Sequence, residues 1–156
     1  MAILGLLTYN ISKNTNEENK NNSFLLKRIE SYDSLAYFLT EVFTAVDTIT
    51  VKAFKLRKGR LTNEMINTIK NDLEKDAKIF LQFYSLVMTF EQRYSYLYNY
   101  DFSSPEFQQL IDEAEKFTVF IDALINKDDS EIVEFHDPKV IKILYDILEK
   151  LQSELK

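Results

Sequence analysis

Between Val51 and Arg60 the chain "VKAFKLRKGR" carries Lys52, Lys55, Arg57, Lys58 and Arg60, five cations within nine residues and no acid among them. Lysine and arginine in a last helical turn complement the helix dipole, which explains part of the cluster. Val51 and Phe54, however, share a helical face with Lys55 and Lys58. An apolar pair framed by ammonium groups suits an acidic partner helix or another anionic surface. Val51, Lys52, Phe54, Lys55, Arg57, Lys58 and Arg60 are therefore the first candidate partner-binding residues. A protein partner or self-association is the leading expectation, and nucleic acid through residues 52–60 is the alternative. The whole chain has a formal net charge of −6, which disfavours general attraction to nucleic acid or to a membrane surface. Neither a membrane nor a small-molecule partner is expected.

The stretch "DDSEIVEFHD" brings Asp128, Asp129, Glu131, Glu134, His136 and Asp137 close together in sequence. Carboxylates beside a histidine suggest a metal site. Calcium loops, however, need a glycine and alternating oxygen ligands, and di-iron bundles need paired Glu-x-x-His units that one histidine cannot supply. The reading preferred here is an acidic loop leading into a helix N-terminus, where negative charge is favoured. No metal or cofactor is expected.

Catalytic signatures are missing as well. The chain has no His-Glu-x-x-His, no Gly-x-Ser-x-Gly and no glycine-rich phosphate loop, and it contains only two glycines. Glu113 and Glu115 stand two apart and so point in different directions on a helix. A non-enzymatic protein is expected. Tyrosines at 94, 96, 98 and 100 alternate as in a strand, but nothing else in the chain offers a partner strand. On a helix, Tyr94 and Tyr98 face inward, and Tyr96 and Tyr100 are left accessible as weaker partner-binding candidates.

The elements that position these residues read as all-α. The chain of 156 residues is 46% hydrophobic and 28% charged, proportions that suit one globular domain. Apolar residues recur at steps of three and four over 24–58, 62–98, 105–126 and 138–155, which predicts four helices. Pro105 after Ser104 and Pro138 after Asp137 mark two helix starts, and Thr62 is the N-cap of another. Gly59, read as a C-terminal residue of positive φ, ends the first helix. Residues 78–91 of the second helix carry no charge between Lys78 and Glu91 and are apolar on every side. That pattern makes it the central helix of the core or one face of an oligomer.

Short loops favour antiparallel neighbours, so the expected fold is a four-helix bundle with a long hairpin of the first two helices. Their turn near Gly59 projects as an arm. "SKNTNEENKNNS", residues 12–23, has no apolar side chain and is expected to be a mobile linker. Ahead of it Ile3, Leu4 and Leu7 form a short apolar segment, a further weak candidate for self-association. Ile132, Val133 and Phe135 suggest an extended connector before the last helix.

The charge is divided unevenly: nine basic residues against six acidic ones in residues 1–60, and ten against nineteen in 61–156. The absence of cysteine excludes disulfides and thiolate chemistry and agrees with a reducing cytoplasm. Together these features predict a small adaptor or subunit, possible as a homo-oligomer, that works through helix surfaces.

Overall fold

The structure, a computed structural model, describes residues 2–126 and 139–156. Among the described residues it holds four α-helices, one 3₁₀ turn and no strand. The helices are α1 (Ala2–Lys58), α2 (Asn63–Tyr94), α3 (Pro105–Asn126) and α4 (Val140–Ser153), and the 3₁₀ turn Ser95–Leu97 follows α2. Each helix packs against its neighbours in the order α1, α2, α3, α4 and back to α1.

The apolar periods supply most of the core, though Leu25, Ile29 and Phe43 of α1 stay exposed. α1 contributes Leu35, Val42, Val46, Ile49 and Ala53, and α2 contributes Leu73, Ala77, Phe80, Phe83, Val87 and Phe90. α3 adds Phe107, Leu110, Ala114, Phe117, Phe120 and Ile121, and α4 adds Val140, Ile143, Leu144, Ile147, Leu148 and Leu151. The Phe80 ring meets Phe117 at 4.8 Å between centroids and Phe83 at 5.7 Å, distances at which edge-on aromatic pairs attract.

Four features depart from the sequence reading. First, the Asn-rich segment 12–23 is continuous helix within α1. No glycine or proline interrupts it, and extending an existing helix through asparagine costs only about 0.7 kcal/mol per residue at most. Second, the uncharged stretch of α2 is enclosed by α1 and α3 but not all round, since Leu81 and Met88 reach the surface. The inward register is carried by Phe83 and Phe90, with Tyr84 and Tyr94 only half-buried.

Third, α2 ends at Tyr94, and Tyr98 follows the 3₁₀ turn in extended conformation. Fourth, Gly59 does not have a positive φ. What it supplies is space: a Cβ there would lie 2.7 Å from Leu61 Cγ and 3.0 Å from the Lys55 carbonyl oxygen.

The predicted start of α4 at Asp137 and Pro138, the connector residues Ile132, Val133 and Phe135, and the acidic stretch from Asp128 to His136 lie outside the described residues. Ser104 does start α3 as expected: its Oγ accepts from Phe107 N at 3.5 Å and its carbonyl from Gln108 N at 3.1 Å.

The bundle closes at one end through a small polar cluster. Tyr98 is buried and its hydroxyl lies 2.8 Å from both Ser31 Oγ and the Arg28 carbonyl oxygen. Arg28 donates from Nε to the Leu97 carbonyl and from Nη1 to the Glu154 carbonyl at 3.0 Å. The Glu154 carboxylate in turn accepts from Asn99 N at 2.7 Å. α1, the 3₁₀ turn and the end of α4 are tied together here.

At the opposite end, among the described residues, α1 and α2 carry on toward their turn with little cover. Beyond Ala53 and before Leu73 no residue is fully buried, and only Leu56, Leu61, Ile66 and Ile69 of the apolar residues are half-covered. This is the projecting hairpin arm. α1 is also the one described helix long and apolar enough to cross a membrane, with a mean hydropathy of 1.2 over eighteen residues. The same helix supplies Leu35, Val42, Val46 and Ile49 to the core.

Candidate functional site at the hairpin tip

Three cations, Lys55, Arg57 and Lys58, occupy the last turn of α1, and Arg60 follows in the turn. Thr62 then starts α2, its hydroxyl accepting from Met65 N at 3.3 Å. The chain reverses within residues 59–62, so the end of α1 stands beside the first two turns of α2. Between them lies an open cavity of about 670 Å³.

Phe54, Lys55, Lys58 and Gly59 line the cavity from α1 and the turn, and Leu61, Glu64, Met65, Thr68 and Ile69 line it from the turn and α2. Phe54 and Met65 are each more than half exposed, at 57% and 51%. Lys58 Nζ lies 4.6 Å from the centroid of the Phe54 ring, within reach of a cation–π attraction that holds the ammonium over the aromatic face.

The predicted residues divide into three groups. Phe54, Lys55 and Lys58 are brought together on the cavity wall. Arg57, Arg60 and Val51 are exposed nearby without lining it. Lys52 is taken up by the fold, since its Nζ pairs with Asp76 Oδ2 on α2 at 2.7 Å, with both side chains largely covered. Among the described residues no carboxylate pairs with Lys55, Arg57, Lys58 or Arg60.

Leu61, Met65, Thr68 and Ile69 were not among the predicted site residues. Their signal was indirect: a tight turn after Lys58 places the first residues of α2 opposite the last turn of α1, but the rotation of the two helices is set only by packing.

Of the weaker candidates, Tyr96 is exposed, with its ring edge-on to Phe24 at 5.9 Å. Tyr100 is half-buried and committed internally. Its hydroxyl donates to Glu106 Oε2 at 3.1 Å, and its ring packs on Phe102 at 4.9 Å. Burial, and then the hydrogen bond and charge of Glu106, push its pKa up to about 12. The same Glu106 oxygen accepts from Lys150 Nζ of α4 at 2.5 Å. Ile3, Leu4 and Leu7 fall within α1, but their side chains lie outside the described residues.

Elsewhere, Leu39, Thr40, Phe43, Ile141, Lys142 and Tyr145 line a second cavity of about 540 Å³ between α1 and α4. Among the described residues no three of His, Asp and Glu gather as metal ligands would. Glu113 pairs with Lys116 at 2.9 Å, one turn further along the same helix. Comparison of the chain with protein-family models, with curated proteins and with solved structures finds no match.

Proposed function

We propose that this protein is a non-enzymatic helical interaction protein, an adaptor or small subunit of a larger assembly, that binds a protein partner or a second copy of itself through helix surfaces. The hairpin tip is its principal contact surface. The supporting observation is the combination found there: an apolar cavity of about 670 Å³ on a projecting arm, bordered by cations that no described carboxylate neutralises. An exposed apolar patch rimmed by polar groups is a feature of interaction sites. The absence of cysteine suits a cytoplasmic setting.

The experiment is purification of the full chain under native conditions, with and without nuclease, followed by determination of its mass in solution. The same preparation is repeated for the Lys55→Glu, Lys58→Glu double variant. Association that survives nuclease and is lost in the variant supports the reading. A strictly monomeric chain that binds no protein would refute it.

One observation favours a second reading. Lys55, Arg57, Lys58 and Arg60 form a basic cluster with which no carboxylate among the described residues pairs, so a nucleic-acid-associated subunit is the alternative. Binding would then weaken steeply with salt, following the number of phosphates neutralised.

A further inference from the structure

We infer that the tip cavity receives an amphipathic helix of a protein partner, with the partner's apolar side chains seated on Phe54, Leu61, Met65 and Ile69 and its carboxylates over Lys55 and Lys58. This deepens the reading of the tip as an interaction surface and rests on it.

Three observations identify this occupant. The first is shape. The recess runs between the ends of two antiparallel helices and has the volume of a small-ligand or side-chain site. A third helix laid against such a pair buries its apolar stripe in the shared groove, as helix-in-groove partners do. Gly59 contributes by its lack of a Cβ, which leaves Leu61 free to form part of the floor beside the turn.

The second observation is the spacing of charge. Lys55 and Lys58 stand three residues apart on one face of α1, about 4.5 Å along the axis. Acids three or four apart on a partner helix have the same spacing. The Phe54 ring keeps the Lys58 ammonium beside the cavity. Pairing across a partly dry groove is stronger than between solvated ends.

The third is asymmetry across the groove. The α1 wall is basic, whereas the α2 wall carries Glu64 as its charged residue. The partner's acidic edge is thereby directed to α1 and its basic or neutral edge to α2. Glu64 also counts against nucleic acid, because a phosphate chain placed over the lysines would meet that carboxylate and leave the four apolar floor residues unused. A bilayer surface is flat on this scale and does not enter a recess between two helices.

The test uses the full-length protein and a synthetic peptide of about four helical turns. The peptide carries leucines at i, i+3/4 and i+7, glutamates along one edge and lysines along the other. Controls are a scrambled peptide of the same composition, a DNA duplex and vesicles of anionic phospholipid. Binding is followed by fluorescence anisotropy and by the gain of peptide helicity.

The inference expects the patterned peptide to bind, the scrambled peptide not to bind, and Met65→Asp to weaken binding at least about tenfold. Lys55→Glu with Lys58→Glu should weaken it similarly, and a peptide whose glutamate edge is changed to lysine should recover binding to that double variant. These positions are exposed or half-exposed, so unchanged thermal melting is the check that the variants fold.

Equal binding of patterned and scrambled peptides, or insensitivity to Met65→Asp, overturns the inference. So does binding of the DNA or the vesicles in place of the peptide. If the tip substitutions disrupt the protein's native association while the patterned peptide fails to bind, the helix-in-groove inference falls and the interaction function stands. If they leave every association unchanged and the peptide does not bind, both fall.

Discussion

Replacing Tyr98 by phenylalanine removes one oxygen from the cluster that closes the bundle end. That oxygen lies 2.8 Å from both Ser31 Oγ and the Arg28 carbonyl, and Ser31 Oγ also donates to the same carbonyl at 2.9 Å. The two hydroxyls hold only two hydrogens between them, so the three contacts cannot all be donated at once. Two hydrogen bonds at most are made at any moment among the three contacts. In Tyr98→Phe, Ser31 can still satisfy the carbonyl, so about one hydrogen bond is lost.

The expected cost is therefore ~1 kcal/mol, or a fall in Tm of roughly 2–4 °C for a domain of this size. Tyr98→Ala also removes a buried ring, and ~3–5 kcal/mol is expected. Ser31→Ala alone should cost ~1 kcal/mol, since Tyr98 can then still donate to the carbonyl, and the double variant Ser31→Ala, Tyr98→Phe, which loses both hydrogen bonds, ~2 kcal/mol. Urea unfolding followed by far-ultraviolet circular dichroism measures all four. A Tyr98→Phe protein as stable as the original, together with a double variant as stable as Ser31→Ala, would refute the reasoning and show that the cluster is open in solution.

Gly59→Ala should destabilise the protein by ~1–3 kcal/mol through overpacking against Leu61. The same substitution in a Leu61→Ala background should recover most of that loss, which thermal melts of the three variants will show. Tyr100, with a folded-state pKa of about 12 against an ordinary value near 10, favours the fold in its neutral form. Its contribution is complete below pH ~10 and is lost as pH rises toward ~12, because the unfolded chain ionises first. A tyrosinate absorbance titration should accordingly lose its highest step in Tyr100→Phe. Tyr96→Ala should stay within about 0.5 kcal/mol of the original protein, and Tyr94→Ala, half-buried beside Phe90, should cost less than Tyr98→Ala by equilibrium unfolding.

Helix number and most boundaries were legible because they follow from local chemistry. Ser104 and Thr62 cap helices through hydroxyls that satisfy the first free amides, and both do so in the structure. α3 begins at Pro105 and ends at Asn126, as its apolar period requires. The linker at 12–23 was misread because polarity alone does not stop a helix, and no residue there breaks one. Tyr98 was assigned inward for the wrong local reason: it is buried after leaving the helix, where its hydroxyl finds Ser31 and the Arg28 carbonyl across the bundle end.

The basic tip shows the same division between local and long-range information. Five cations near a predicted turn could be read directly from the chain, as could Phe54 beside them. That Lys52 is neutralised by Asp76 could not, because the two residues meet only through the antiparallel register of α1 and α2. Nor could the cavity be read, since Met65 and Ile69 reach Phe54 and Lys58 only once both helices are rotated by burial of Leu73, Ala53 and Ile49. Periodicity and capping act within a few residues and so are determined by sequence alone. Pairing, cavity and charge balance at the tip arise between residues far apart in the chain, where the packing of the whole bundle decides which side chains remain free.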